Sequence, residues 1–180
     1  MERRDEELGW IRRSRDGDLE AFEELIRRYQ QMVHALTFRM TGSMSDAEDL
    51  AQDIFIQAFR KLGGFRAEAQ FSTWLYRIGI NTCLNWKKSQ QRRHQLHQEW
   101  ASQSQVAGEH KNDLGARVQD ALLALPPNQR AAVVLTVYEG LNHAEAARML
   151  GCSEATISWR VFAARKQLKR WLQQDIRSQA

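Results

Sequence analysis

The chain has 180 residues, of which 43% are hydrophobic and 27% charged, and its formal net charge at pH 7 is +4. This composition is typical of a globular protein, with enough length for one large domain or two small ones. No apolar run approaches the length of a membrane span, and the N-terminal residues MERRDEELGW lack the apolar core of a signal peptide. We therefore expect no membrane insertion and a cytoplasmic location.

The numbers and positions of cysteine and proline narrow the fold class and the kinds of site that the chain can hold. Cys83 and Cys152 are far apart and have no CxxC partner or nearby histidine, so we predict neither a disulfide framework nor a zinc site, and no cofactor. Pro126 and Pro127 are the only prolines, and alternating β-type runs are few, which predicts an all-α fold. The run AVVLTVY at 132–138 has strand propensity, but we predict a helix because its neighbours are helical and it has no hairpin partner.

The charge distribution divides the chain into three parts. Residues 1–91 carry 14 basic and 14 acidic side chains, residues 92–113 carry 3 and 3, and residues 114–180 carry 9 and 5. The middle part, RRHQLHQEWASQSQVAGEHKND, is rich in Gln, His and Ser and lacks a sustained apolar stripe, which indicates a flexible linker. We therefore predict two small helical domains, 1–91 and 114–180, joined by the linker 92–113.

The first domain has a helix signal at Asp16-Gly17-Asp18, because acidic residues favour a helix N-terminus. Gly42 is the expected stop. Between these points apolar residues recur at helical spacing and form one stripe: Phe22, Leu25, Ile26, Tyr29, Val33 and Leu36.

A second helix is predicted from the N-cap Ser45, with Glu48 three residues later, through the run DAEDLAQDIFIQAFRKLGGF. At about 100° per residue its inward face is apolar and contains Ala47, Leu50, Ala51, Ile54, Ala58 and Leu62. Its outward face combines acids with an isoleucine and contains Asp49, Gln52, Asp53, Ile56 and Arg60, with Phe59 at the edge.

Three interpretations of this outward face are open. Asp46, Asp49 and Asp53 share one side and could hold Mg²⁺ in a metal-dependent nuclease, although no further constellation of His, Lys or carboxylates completes such a site. A merely solvated surface is the second interpretation, because acids in the first turns favour the helix dipole. A protein-docking patch explains the acids together with Ile56 and Phe59, and we favour it.

The third predicted helix, QFSTWLYRIGINTCLNWKKSQQRR, contains no acidic residue. Its core side holds Phe71, Leu75, Ile78, Thr82 and Trp86. Its other side aligns an aromatic ring, two amides and two cations: Trp74, Arg77, Asn81, Asn85 and Lys88. Rings that stack bases, cations that follow phosphates and amides that bond base edges suit single-stranded nucleic acid. The alternative is that Trp74 belongs to the edge of the core and the asparagines are solvated.

The run LNHAEAARMLGCSEATISWRVFAARKQLKRWL at 141–172 predicts a helix-turn-helix. Asn142 with Glu145 is a capping box, Ser153 can cap the second helix, and Gly151 suits the tight turn. The buried side of the crossing is small or apolar and contains Ala147, Ile157, Val161, Ala164, Leu168 and Leu172. The opposite side contains Ala155, Ser158, Trp159, Phe162, Lys166 and Arg170. An ordinary amphipathic hairpin with a solvated basic face is the plainer alternative, but such a face has no use for two large aromatics.

Four blocks in this order carry a family resemblance: FEELIRRY, DAEDLAQDIFIQAFRKL, FSTWLYRIGINTCLN and ALPPNQRAAVVLTVYEGLNHAEAARMLGCSEATISWRVFAARKQL. Together they resemble a bacterial RNA polymerase sigma factor of the extracytoplasmic-function type, in the sigma-70 family. They cover most of the chain outside the linker and the termini. The resemblance implies a region 2 domain that binds polymerase and melts the minus-ten element, and a region 4 domain that binds the minus-thirty-five element.

The resemblance implies partners for each surface. Core RNA polymerase would bind through the clamp helices of its largest subunit and through its flap region, and the clamp contact falls on Asp49, Gln52, Asp53, Ile56, Phe59 and Arg60. Captured promoter bases would lie on the third helix and the preceding loop, at Arg66, Gln70, Trp74, Arg77, Asn81, Asn85 and Lys88. The recognition helix would contact duplex promoter DNA through Ser153, Thr156, Ser158, Trp159, Arg160, Phe162, Arg165 and Lys166.

Further implications concern the linker and regulation. In the family the linker threads toward the polymerase active-site cleft, in contrast to the plain spacer that its composition suggests. A cognate anti-sigma factor, often membrane-anchored, is expected, and the free chain is expected to be a monomer without catalytic activity. Many relatives carry arginine at the positions of Ser158 and Ala163, so their base contacts do not transfer. A helix-turn-helix regulator that acts without polymerase is the alternative function.

Overall fold

The computed structural model describes residues 2–97 and 114–178, with the side chains of 4–93, 114–171 and 173. The first four helices are α1 (Glu2–Arg15), α2 (Leu19–Thr41), α3 (Met44–Lys61) and α4 (Phe71–His97). A short 3₁₀ turn, Leu62–Gly64, follows α3. The later helices are α5 (Leu114–Leu123), α6 (Pro127–Val133), α7 (His143–Leu150) and α8 (Glu154–Ser178), with a π-type turn, Val134–Tyr138, after α6.

These elements confirm the all-α prediction, since the described residues contain no strand. The helical prediction for 132–138 is also confirmed, because that run completes α6 and forms the π-type turn. No helix within residues 2–97 and 114–178 combines the length and apolarity needed to cross a bilayer.

The chain folds into two compact units. Among the described residues, the first unit comprises 2–38 and 43–82, and the second comprises 39–42, 83–97 and 114–178. The helix α4 continues to His97, so residues 92–97 of the predicted linker are helical, and the domain boundary at residue 92 stays a prediction. Their lack of acids and glycines allows the helix to extend. The remaining linker residues, 98–113, lie outside the described residues.

The core of the first unit confirms the predicted apolar faces. Phe22, Leu25, Val33 and Leu36 of α2 are buried, and Ile26 and Tyr29 pack partly buried at its margin. All six residues of the predicted inward face of α3 are buried: Ala47, Leu50, Ala51, Ile54, Ala58 and Leu62. A Cβ at Gly79 of α4 would lie 2.6 Å from Leu36 Cδ2, so glycine permits α2 and α4 to approach closely.

The caps of α2 and α3 fix where these helices begin. Asp18 Oδ1 accepts a hydrogen bond from the Ala21 N–H at 3.0 Å, which lowers the pKa of the Asp18 carboxyl and confirms the predicted helix signal. The predicted N-cap of α3 is wrong: Ser43, not Ser45, accepts the bond, from the Asp46 N–H at 3.3 Å. Ser43 has an extended backbone, as a cap requires, whereas Ser45 is already inside the helix.

The helix α1 was not predicted, because its few apolar residues form no regular stripe. Ile11 is buried in the first core, and Leu8 and Trp10 pack against that core. Polar contacts also tie α1 to α2: Tyr29 Oη donates to a Glu7 carboxylate oxygen, and Arg28 lies over the Trp10 ring. Tertiary packing, rather than an amphipathic pattern, therefore stabilises this helix.

The core of the second unit joins α5 and α6 to α8 through Leu122, Leu125, Val133 and Ala164. Arg130 of α6 is only 2% exposed and donates to the backbone carbonyls of Leu122, Leu123 and Leu125. It also donates to the carbonyl of Met40, in the short α2 segment that belongs to this unit. Burial lowers the pKa of Arg130 to about 10, which leaves the guanidinium charged at neutral pH.

Candidate protein and nucleic-acid interfaces

The outward face of α3 is exposed as predicted at five of its positions. Asp49, Gln52, Asp53, Ile56 and Arg60 all point to solvent, and Ile56 is 48% exposed. Phe59, placed at the edge of this face, is partly buried and packs edge-on against Phe22 with ring centroids 4.9 Å apart. The face therefore presents one aliphatic side chain among carboxylates, on a helix whose other side is fixed in the core.

The metal-site interpretation of α3 gains no support from the geometry. Among the side chains that the structure describes, Asp46, Asp49 and Asp53 do not form a group of three or more His, Cys, Asp or Glu residues able to hold a metal ion. Asp46 is partly buried in the first turn, while Asp49 and Asp53 are exposed.

The candidate single-strand surface on α4 is exposed except at its aromatic residue. Arg77, Asn81, Asn85 and Lys88 are exposed along one row of α4. Trp74 is half-buried, with its ring centroid 5.3 Å from that of Phe65 and 5.4 Å from that of Phe71. Trp74 thus lies at the margin of the aromatic core, at the N-terminal end of the exposed row of amides and cations.

A cavity of about 280 Å³ lies in the first unit beside the loop before α4. Arg66 and Gln70 are exposed on this loop, and Ala67 has a φ of 57°, a conformation that costs a non-glycine residue on the order of 1 kcal/mol. The loop residues that line the cavity are Phe65, Ala67, Ala69 and Gln70, and Phe71 and Ser72 line it from the first turn of α4. Its opposite wall comes from α1 and α2 and includes Arg4, Glu7, Leu8, Arg28 and Tyr29.

The wall of the cavity on the α1 side is held by polar contacts that the sequence did not reveal. Glu7 accepts from the Tyr29 hydroxyl and lies 3.5 Å from Arg28 Nε. Burial, followed by the bond to Glu7, raises the pKa of the Tyr29 hydroxyl, so Tyr29 remains a neutral donor. Because α1 lacks an apolar stripe, no sequence signal pointed to its part in this cavity.

The helix-turn-helix forms as predicted in α7 and α8. Asn142 and Glu145 make both bonds of the capping box, and Gly151 adopts the left-handed conformation with a φ of 61°. Ser153 Oγ accepts from the Thr156 N–H at 3.2 Å and so caps α8. The buried side is confirmed at Ala147, Ile157, Val161 and Ala164, with Leu168 partly buried, while the Leu172 side chain lies outside those described.

The opposite side of α8 presents two large aromatics to solvent. Trp159 is 62% exposed and Phe162 is 67% exposed. Among the other candidate contact residues, the exposed ones are Ser153, Ser158, Arg165 and Lys166. Thr156 and Arg160 are half-buried: Thr156 Oγ1 lies 2.8 Å from Ser153 Oγ, and Arg160 Nη1 lies 3.6 Å from Cys152 Sγ.

One polar contact of this surface was missed from the sequence. His143, the first residue of α7, has its Nδ1 2.8 Å from Ser158 Oγ on α8. No capping or hydrophobic pattern indicates such a pair, because the two residues are 15 positions apart and meet only when the helices cross.

Both parts of the chain match families of known proteins. The family model for Sigma-70 region 2 matches residues 25–93, and the model for Sigma-70 region 4 matches residues 115–168. The chain is 32% identical to the RNA polymerase sigma-H factor of Pseudomonas aeruginosa, over 93% of this chain and 94% of that one. It is 36% identical to the ECF RNA polymerase sigma factor SigM of Mycobacterium tuberculosis, over 87% of this chain and 79% of the relative.

A solved structure with the same fold is that of the sigma factor RpoE in complex with the anti-sigma factor NepR from Bartonella quintana. It superposes with a TM-score of 0.71 at 25% identity, over 84% of this chain and 96% of that chain.

Proposed function

The chain belongs to the extracytoplasmic-function RNA polymerase sigma factors of the sigma-70 family, and we propose that three separate surfaces carry out its work. As a member of this family it binds core RNA polymerase and directs promoter-specific transcription initiation. In the proposal the α3 face docks on the clamp helices, the α4 row and its preceding loop hold unpaired promoter bases, and α8 reads the upstream element. The chain contributes binding energy and no catalytic chemistry of its own.

The observation that carries the proposal is the exposed Ile56 among the carboxylates of α3. An exposed aliphatic side chain on a helix that is otherwise fixed in a core favours a protein partner, and acids around it provide charge complementarity and orientation. A helix-turn-helix regulator acting without polymerase would need α7 and α8 but would leave this face without a partner.

The cavity lined by the 65–70 loop, α1 and α2 supports a role in promoter opening. Its volume of about 280 Å³ is near the lower end of the range for small-molecule sites, and its walls combine aromatic rings with the Gln70 amide and the Arg28 and Arg4 side chains. Removing a base from the stack costs a few kcal/mol, and a preformed pocket can offset that cost. We assign the cavity as the place where an unpaired base is held, next to the exposed row on α4.

The proposal also includes a regulatory partner and a location. Because RpoE of Bartonella quintana was solved with an anti-sigma factor, we propose that a cognate anti-sigma factor controls this chain. The free chain is a monomer, and the flap region of the polymerase is the partner of its region 4 unit. It acts in the cytoplasm, and it is held at the inner membrane when its anti-sigma factor is anchored there.

Replacing Lys166 by alanine should weaken binding of the polymerase complex to all promoter sequences about equally. Lys166 is exposed beside the base-facing residues, so its contact is with phosphate, and its loss should reduce the slope of log affinity against log salt by about one. Replacing Trp159 by alanine should instead change which upstream element is preferred, because in this proposal the exposed indole contacts base edges.

The measurement is selection of upstream elements from a randomised library, with the two variants compared at several salt concentrations. An unchanged preference with Trp159→Ala would show that α8 presents a different side to DNA.

Replacing Asn81 by alanine should leave the closed complex intact and reduce the open complex roughly fivefold, the size expected for one hydrogen bond to a captured base. Asn81 is exposed in the middle of the α4 row, so its removal should not disturb the core. Trp74→Ala is a less clean test, because it also removes ring packing against Phe65 and Phe71.

Permanganate footprinting of unpaired thymines measures the open complex, and protection of the upstream element measures the closed one. Gln91→Ala, an exposed amide on the same helix outside the row, is the matched control. Normal melting by the Asn81 variant would place this residue in solvent, away from the bases.

A further inference from the structure

A hydrogen-bonded pair joins the two helices of the helix-turn-helix at the surface proposed to face DNA. Ser158 Oγ lies 2.8 Å from His143 Nδ1 and 3.1 Å from the backbone carbonyl of Glu154. Ser158 is exposed on the same side of α8 as Trp159 and Phe162. Its hydroxyl is therefore placed among the candidate base contacts while two of its three hydrogen-bonding directions are already used.

A count of protons leaves one arrangement in which both contacts of Ser158 are hydrogen bonds. A serine hydroxyl has one proton to donate and two lone pairs that accept. The Glu154 carbonyl can only accept, so both contacts are hydrogen bonds at the same time only when the Ser158 proton points to that carbonyl, as is common for serine in a helix, and His143 Nδ1 carries a proton. His143 Nδ1 must then donate, and one lone pair of the Ser158 oxygen remains, directed away from both partners.

Neither the His143 nor the Ser158 side chain is needed to cap the N-terminus of its helix. Asn142 and Glu145 form the capping box of α7, with bonds of 2.9 Å in both directions. Ser153 caps α8 through the Thr156 N–H. The His143 to Ser158 bond is thus additional to the capping of both helices, and its main effect is to orient the Ser158 hydroxyl.

We propose that His143 is a positioning residue for base recognition, which holds Ser158 as a hydrogen-bond acceptor toward the major groove. This inference rests on the proposed function, in which α8 enters that groove. In the major groove only adenine N6 and cytosine N4 offer amino donors, whereas guanine and thymine offer acceptors. Ser158 therefore selects adenine or cytosine over guanine or thymine at one position of the upstream element.

The test uses the full chain bound to core polymerase, with a promoter library that contains all four bases at each upstream position. The parent should prefer an amino base at one position by about fivefold, as expected for one neutral hydrogen bond. Ser158→Ala should abolish that preference and leave the other positions unchanged. His143→Ala should reduce it, and His143→Asn should restore most of it, because its amide can donate from a similar place.

The double variant His143→Ala with Ser158→Ala separates positioning from other roles. If His143 acts only through Ser158, the double variant should show the same base preference as Ser158→Ala alone. A residue that merely contacts phosphate would lower affinity for every sequence and leave the preferences unchanged.

The inference is overturned if His143→Ala leaves the base preference intact, if Ser158→Ala does so, or if the Ser158 position prefers guanine or thymine. Should His143→Ala lose helix content by circular dichroism, the Asn variant and Ser158→Ala decide the question. Absence of any sequence selection by the parent complex is a different result, since it would contradict the proposed function itself.

Discussion

Replacing Arg130 by methionine should lower the free energy of unfolding of the second unit by about 3 kcal/mol. The guanidinium is 2% exposed and donates to the carbonyls of Leu122 and Leu123 in the last turn of α5 and to that of Leu125 just beyond it. The Leu122 carbonyl also accepts from the Leu125 N–H, so the substitution removes the side-chain donor mainly from the other two. Methionine fills similar space but donates nothing. Each buried carbonyl left without a partner costs roughly 1 to 3 kcal/mol, and entry of water offsets part of the total.

Chemical denaturation gives the overall change, and hydrogen exchange of amides in α6 and α8 reports the second unit separately. Arg148→Met is the matched control, because Arg148 is exposed on α7 of the same unit and its loss should change stability by no more than about 0.5 kcal/mol. Arg130→Lys keeps the charge but cannot reach three carbonyls, so its effect should be intermediate. Equal stability of the Arg130→Met and Arg148→Met variants would contradict this role.

The effect of Arg130 should not depend on pH near neutrality. Burial lowers the pKa of Arg130 in the folded state from the ordinary arginine value to about 10, so folding disfavours the charged form. The contribution of this group to stability would therefore rise only as pH increases above about 10. Between pH 6 and about 8 the guanidinium is charged in both states. The difference in unfolding free energy between parent and Arg130→Met should therefore be constant across that range.

Replacing Ile56 by glutamate should weaken binding to core RNA polymerase by about 2 kcal/mol, or roughly thirtyfold, as for a central interface residue. Ile56 is 48% exposed, and Asp53 on the preceding turn is also exposed, so neither substitution removes core packing. Charge reversal with Asp53→Lys should have a similar effect, because it places a cation opposite a polymerase surface that is complementary to a carboxylate.

The measurement is affinity for core polymerase, with helix content and thermal midpoint recorded for each variant. Glu48→Lys supplies the control: the same charge reversal at an exposed α3 position about 100° around the helix from Asp49. It should bind like the parent. If a folded double variant of Ile56 and Asp53 keeps full affinity, the α3 face is not the docking surface.

Much of the architecture follows from local sequence signals. The stripe of α2, the inward face of α3 and the capping box of α7 were predicted because each depends on residues only three or four positions apart. Gly151 was predicted for the same reason, since a tight turn between two capped helices needs a positive φ.

What the sequence did not show depends on contacts between distant residues. The helix α1 is held by Ile11 in the core and by Glu7 against Tyr29, and the half-burial of Trp74 follows from its packing on Phe65. Arg130 resembles any helical arginine in sequence, yet the folded chain buries it against the end of α5 and the Met40 carbonyl. The N-cap of α3 was wrongly predicted because Ser43 and Ser45 are each followed by an acidic residue three positions later. Only the extended backbone of Ser43 identifies it as the cap.

The candidate surfaces were predictable as sets of exposed residues but not as arrangements. Helical periodicity placed Asp53, Ile56, Asn81 and Trp159 on outward faces, and all four are exposed. The cavity beside the 65–70 loop and the bond between His143 and Ser158 arise only when separate helices meet, so no spacing rule could have indicated them.

Transcription from a promoter library by core RNA polymerase, with and without this chain, tests the central claim most directly. The chain should produce discrete start sites, each preceded by a shared upstream element and a shared melted element, while core polymerase alone should give none. The Ile56→Glu variant should give these transcripts only at a correspondingly higher concentration, although its unit folds. If the chain instead binds duplex DNA tightly without polymerase and produces no selective initiation, it acts as a separate regulator, and the assignment of the α3 face is contradicted.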